Sequence, residues 1–111
     1  MDVHSELVDY WLILKPAARR FDASEALSFK AFFFEQVAKG YQQIAVDFSE
    51  IGFIDSSGLG CLVSCLKYLG AGGSLVVFNP GSAVQRTFKL SRMDKVLRIF
   101  DSKDAVMAFQ G

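Results

Sequence analysis

Apolar runs of four to six residues alternate with longer segments of helical period, which predicts an α/β domain. Val3 to Lys15 reads as one strand or a hairpin, clearest at Tyr10-Trp11-Leu12-Ile13-Leu14. Lys15-Pro16 closes it, because proline has no N–H to give a ladder. Phe21-Asp22-Ala23-Ser24-Glu25 reads as a helix start, with Asp22 as cap and Glu25 reaching back to the cap amide. That helix is predicted to run to about Lys39 and to stop at Gly40.

Ile44 to Phe48 follows as a buried strand, and Ile51 to Ile54 leads into Asp55-Ser56-Ser57-Gly58-Leu59-Gly60. Leu59, Leu62, Val63, Leu66 and Leu69 then recur at helical spacing, up to a stop at Gly70-Ala71-Gly72-Gly73. Ser74 to Phe78 is another buried strand, and Asn79-Pro80 is expected to cap and open a third helix through about Leu90. Val96 to Phe100 is the last strand expected, and Asp101 or Ser102 caps a short terminal helix holding Ala105, Val106 and Phe109. No linker or repeat interrupts the pattern, so residues 1–111 read as a single domain. Its expected architecture is a mostly parallel mixed sheet of four to five strands with about four helices.

Composition narrows the function classes. The 111 residues carry 12 Lys+Arg and 12 Asp+Glu, a formal net charge of zero, which argues against nucleic-acid binding or a polybasic membrane protein. A hydrophobic share of 51% with 22% charged residues describes a chain that can bury a core. The start MDVHSELVDY lacks a signal peptide's basic and apolar regions, and no stretch is apolar for long enough to span a membrane. Two cysteines, Cys61 and Cys65, are too few for a disulfide scaffold, and one histidine, His4, leaves a zinc site short of ligands. The expected location is the cytoplasm, with free thiols.

The inventory of reactive groups speaks against an enzyme. The lone His4 lies near the N-terminus, and neither Ser56 nor Ser57 stands in a GxSxG context. Gly58-Leu59-Gly60 lacks the third glycine of a dinucleotide loop, and no Lys-Ser/Thr pair follows as in a phosphate-binding loop. No cofactor is expected. What stands out is the hexapeptide Asp55 to Gly60. Ser56 and Ser57 are natural caps for the helix that follows. Gly58 and Gly60 each forfeit roughly 1 kcal/mol of helix propensity relative to alanine. They would leave the backbone open to another molecule, at the strand edge where α/β sheets meet their ligands.

Ile54-Asp55-Ser56-Ser57-Gly58-Leu59-Gly60 resembles the signature of STAS-domain anti-sigma-factor antagonists, the anti-anti-sigma factors of bacterial partner-switching systems. The resemblance extends to Arg20-Phe21-Asp22-Ala23, Val46-Asp47-Phe48, Gly72 to Val77 and Pro80 with Val84 to Phe88. It implies a STAS fold and a phosphoacceptor at the signature's second serine, Ser57. It also implies a partner surface of Asp22, Asp55, Ser56, Ser57, Gly58, Leu59 and Gly60. The implied partners are an anti-sigma factor that is itself an ATP-using serine kinase, and a serine phosphatase that reverses it. Unphosphorylated chain would capture the anti-sigma factor and free sigma, as a monomer or weak dimer. The chain departs from the family at Pro16-Ala17-Ala18-Arg19-Arg20, bulkier than the usual turn, and at Ser91 to Asp94, where a glycine is common.

An interaction subunit of the same fold without a sigma target, in lipid transport, biofilm formation or secretion, is the alternative reading. A small nucleotide-binding module is weaker still, for want of a complete phosphate loop. Leu27, Phe29, Phe32, Phe33, Phe34 and Val37 spread over an arc of roughly 200° on the first helix, and the expectation is that this arc is clamped in the core, the alternative being an exposed Phe29 or Phe32 that contacts a partner. Arg86, Lys89, Arg92 and Lys95 read as a solvated basic edge in preference to a phosphate- or lipid-binding one, and the two cysteines as filling residues in preference to redox sensors.

Overall fold

A computed structural model describes residues 2–109. The N-terminal apolar segment is a hairpin: β1 (Val3–Val8) and β2 (Trp11–Pro16) pair antiparallel, and Val8 opposite Trp11 leaves a two-residue turn at Asp9-Tyr10. Asp9 takes a left-handed backbone with φ 52°, which aspartate tolerates better than most residues. β3 (Arg20–Phe21) leads into α1 (Ala23–Ala38), and β4 (Gln43–Asp47) and β5 (Phe53–Ile54) precede α2 (Ser56–Leu69). β6 (Ser74–Phe78), α3 (Ser82–Leu90), a 3-10 turn (Met93–Lys95), β7 (Arg98–Phe100) and α4 (Lys103–Ala108) complete the order.

The main sheet runs β1-β2-β4-β6-β7, parallel everywhere except the hairpin, while β3 and β5 form a separate parallel pair. This is the mostly parallel mixed sheet that the alternation predicts. Its central strands are buried on both faces, so they read as unbroken apolar runs. Leu12, Leu14, Ile44, Val46, Leu75 and Val77 face the larger core with Phe29 and Phe33 of α1, Leu62 of α2 and Phe88 of α3. Trp11, Ile13, Ala45, Val76 and Phe78 face the other side, where α4 covers them with Val106.

Several boundaries move from their expected places. Asp22 stands at the N-cap of α1 but its side chain makes no cap hydrogen bond. Asn79-Pro80 does not open α3. Asn79 takes a left-handed backbone while its N–H still donates to Phe100 O (3.1 Å), so the helix begins after Gly81. The last strand loses Val96 and Leu97, whose N–H groups both donate to Met93 O and close the 3-10 turn instead. At the terminal helix Ser102 is the cap, its hydroxyl accepting from Ala105 N at 3.2 Å. On α1, Phe29 and Phe33 are fully buried as expected and Phe32 is half-buried, whereas Leu27 is 66% exposed. Leu27 lies roughly 160° from Phe29 at 100° per residue, so one core cannot hold both.

The β3–β5 pair positions the signature segment. Arg20 aligns with Phe53 and Phe21 with Ile54, and Arg19 O accepts from both Gly52 N (2.7 Å) and Phe53 N (3.0 Å). Phe21 is fully buried, edge-on to Phe29 at 5.4 Å and tilted against Phe48 at 5.5 Å. The first turn of α2 rests directly on this strand. A Cβ on Gly58 would fall inside contact distance of Phe21 O and lie 2.7 Å from Ile54 Cγ1, so Gly58 is a close-approach glycine serving the fold. This corrects the expectation that it opens the backbone to a partner. Gly60 has nothing within 4 Å of such a Cβ.

The two glycines therefore respond oppositely to alanine. Gly58→Ala is expected to destabilise by about 1–3 kcal/mol through overpacking against backbone. Gly60→Ala is expected to stabilise by roughly 0.5–1 kcal/mol through helix propensity. Urea titrations of both variants check the signs; equal and neutral effects would contradict the packing account.

Candidate functional site

α2 starts from an extended Asp55, whose Oδ1 accepts from Gly58 N at 3.0 Å and whose carbonyl accepts from Leu59 N at 3.0 Å. The acid, not either serine, is thus the cap. Ser56 and Ser57 become the first two helical residues, and both are exposed. This corrects the expected cap assignment and has a chemical consequence. A serine used as a cap has its oxygen turned onto the helix, whereas Ser57 stands on the outside of the first turn.

Across the β3–β5 ladder, Phe21 opposite Ile54 brings the next residues, Asp22 and Asp55, to neighbouring strand ends. α1 and α2 therefore start side by side and run the same way, packed together along their lengths, with Phe34 stacked on Tyr68 at 3.8 Å. Two helix N-termini with their partial positive charges meet there, and two carboxylates offset them. Asp22 Oδ2 also pairs with Arg20 Nε at 3.4 Å, and the Arg20 guanidinium lies over the Phe53 ring at 4.2 Å from its centroid. Arg20 is well exposed, so this pair orients Asp22 more than it stabilises the chain.

Between the two helices lies an open groove of about 410 Å³. Ala23, Leu27 and Lys30 form its α1 wall and Ser57, Gly60 and Ser64 its α2 wall, with Cys61 below. The residues predicted from the signature separate into roles. Ser57 and Gly60 line the groove, Asp22 and Asp55 stand at the helix starts, and Ser56 is exposed beside them. Gly58 is buried, and Leu59 packs half-buried against the larger core. Leu27, Lys30 and Ser64 were missed by the sequence reading. The one signal for Leu27 was its angle on α1, opposite the buried phenylalanines.

The floor of the groove is held by thiols. Cys61 Sγ donates to Ala26 O at 3.3 Å, tying α2 to α1. The Cys65 thiol is pushed far above its usual range, because it donates to Cys61 and because burial penalises its charged form. Both cysteines are buried and free, which fits the expected filling role. Among the described residues no group of three or more His, Cys, Asp or Glu is placed to hold a metal ion.

Loss of the Asp55 carboxylate removes the cap that seats the first turn of α2. Asp55→Ala is expected to cost about 0.5–2 kcal/mol, and Asp55→Asn far less because its side-chain oxygen still accepts. Thermal melts of the two variants make the comparison; indistinguishable losses would speak against the cap.

Comparison with known proteins places this arrangement. The STAS domain model matches residues 7–106. A Thermotoga maritima protein described as an anti-sigma factor antagonist is 31% identical over 104 residues, covering 92% of this chain and 91% of its own. The crystal structure of a Thermotoga maritima anti-sigma factor antagonist superposes with a TM-score of 0.85 at 29% identity, covering 95% of this chain and 91% of that one. The unphosphorylated anti-sigma factor antagonist SpoIIAA shares the fold at a TM-score of 0.76 and 20% identity, over 95% of this chain and 93% of its own. The phosphorylated form of the Bacillus cell fate determinant SpoIIAA does so at 0.68 and 19%, over 95% and 96%. With the domain matched over most of its length, a sheet and helices of that fold, and a relative at this identity, the chain belongs to the STAS-domain family of anti-sigma factor antagonists.

Proposed function

We propose that this chain, acting as one STAS domain, is a phosphoserine-switched antagonist. Unmodified, it binds an anti-sigma factor that is also a serine kinase; phosphorylation of Ser57 by that kinase ends the binding, and a serine phosphatase restores it. The chain is then a substrate and not a catalyst, in keeping with a family of regulatory binding proteins. The observation that carries the reading is the place of Ser57, exposed on the first turn of α2 and on the wall of the groove beside Gly60. Gly60 supports it, since no internal contact requires a glycine there. The partner surface proposed is Asp22, Asp55, Ser56, Ser57 and Gly60 with the groove wall of Leu27 and Lys30. Gly58 and Leu59 support it from within.

Electrostatics gives the direction of the switch. A phosphate adds about −1.5 to −2 charges at pH 7. At a helix N-terminus that charge is favourable by about 0.3–1 kcal/mol, so the fold tolerates it. A partner seated over a small hydroxyl beside Asp22 and Asp55 instead meets a dianion next to two carboxylates. Desolvation and like-charge repulsion there cost several kcal/mol. The second effect is the larger, so modification acts on partner affinity and leaves the shape of the domain alone.

Two measurements follow. Incubated with ATP and its anti-sigma kinase, the wild-type chain is expected to shift on a phosphate-affinity gel and Ser57→Ala to stay in place; a shift in Ser57→Ala would reassign the acceptor. By calorimetry, Ser57→Asp is expected to weaken kinase binding by about 2–5 kcal/mol with an unchanged melting profile. Wild-type affinity in that variant would sink the switch.

A further inference from the structure

The net charge of zero conceals a segregation that topology makes spatial. Residues 86–98 hold five of the 12 basic residues (Arg86, Lys89, Arg92, Lys95, Arg98) and one of the 12 acidic ones (Asp94). All five basic side chains belong to exposed residues. Because α3 returns antiparallel to the strands, its last turn, the 3-10 turn and the start of β7 lie at the N-terminal end of the parallel sheet. Ser57, Asp22 and Asp55 lie at the opposite end, where β5 delivers the chain to α2.

The turns hold these cations close together. Arg92 N donates to Lys89 O at 3.2 Å and Lys95 N to Arg92 O at 3.0 Å, so successive hydrogen-bonded turns carry Lys89, Arg92 and Lys95. Met93, buried, pins the segment to the core. Two large aliphatic residues stand among the cations: Leu90 is 78% exposed and Val96 is 55% exposed. Helix-dipole compensation accounts for Lys89 in the last turn of α3 but fades beyond it, where Arg92, Lys95 and Arg98 lie. A purely solvated basic edge does not need Leu90 in water.

We propose that this α3–β7 corner is a contact surface for anionic lipid headgroups. Lys89, Arg92 and Lys95 meet the headgroup phosphates, and Leu90 and Val96 enter the apolar boundary. Charge complementarity favours this occupant, since each Lys or Arg near an anionic leaflet adds to attraction and a few aliphatic side chains supply the second signal. Lysine is depleted in protein–protein interfaces, which favours a lipid surface over a protein partner at Lys89 and Lys95. Docked this way, the chain holds its Ser57 end away from the lipid. Binding to lipid and exchange of a protein partner are then compatible.

Vesicle flotation with the full chain tests the proposal. Wild type is expected to float with phosphatidylcholine vesicles containing phosphatidylglycerol, to remain at the bottom with phosphatidylcholine alone, and to be released by salt. Arg92→Glu with Lys95→Glu is expected to weaken partitioning by about tenfold or more. Leu90→Ser, which leaves charge unchanged, is expected to weaken it severalfold. All three positions are exposed, so melting curves close to wild type are expected and serve as the folding control. No flotation with anionic vesicles, or equal flotation of the Leu90→Ser variant, overturns the proposal. So does loss of anti-sigma factor binding in the charge-reversed variant without any vesicle binding by wild type, which would assign the corner to an acidic protein. Ser57→Asp is expected to float as wild type does, so failure of the phosphorylation reading is read separately.

Discussion

The close seating of the first turn of α2 on the backbone of β3 is the contact on which the site depends. It requires a residue without a side chain at Gly58, because Phe21 O and Ile54 leave no room for a methyl group. It also requires a large anchor at Phe21, whose ring reaches Phe29 and Phe48 and so links both helices and the sheet end to one core. With β3 and β5 paired and each running directly into a helix, Asp22 and Asp55 become neighbours. Ser57 is then carried on the outer side of a rigid turn, not on a loop. A hydroxyl held this way is presented in one geometry to whatever approaches.

The same topology distributes charge along the strands. Parallel strands send every helix back in one direction, so the N-termini of α1 and α2 gather at one end and the exit of α3 lies at the other. Asp22 and Asp55 stand at the first end, where they complement the helix dipoles, and the cations that follow α3 lie beyond the second, past the reach of that helix's dipole. A dianion introduced at Ser57 therefore joins an end that already carries Asp22 and Asp55, where the helix amides accommodate it locally while an acidic or buried partner surface does not. The zero net charge of the chain sums a basic segment at residues 86–98 and an acidic remainder.

The order of elements and the signature segment were legible in the chain before it was folded. Strands buried on both faces, such as Ile44-Ala45-Val46 and Leu75-Val76-Val77, can only be apolar runs, and the helices between them can only show a 3.6-residue period. Those are local consequences of burial and survive in one dimension. Tertiary structure alone decided which glycine serves the fold and which leaves space, because Gly58 and Gly60 differ only in what lies across from them. It also moved the cap from the serines to Asp55, delayed the start of the last strand to Arg98 and put Leu27 on the groove wall in place of the core. The glycine roles and the place of Leu27 turn on contacts with residues distant in the chain, Phe21 beneath Gly58 and the α2 face beside Leu27. The cap and the strand start turn on which of two local hydrogen bonds the packed backbone makes, Asp55 accepting from Gly58 N and Met93 O accepting from Val96 and Leu97. Sequence records the periodicity a residue must satisfy along its own element, and the partner across the gap becomes known only when the elements are packed.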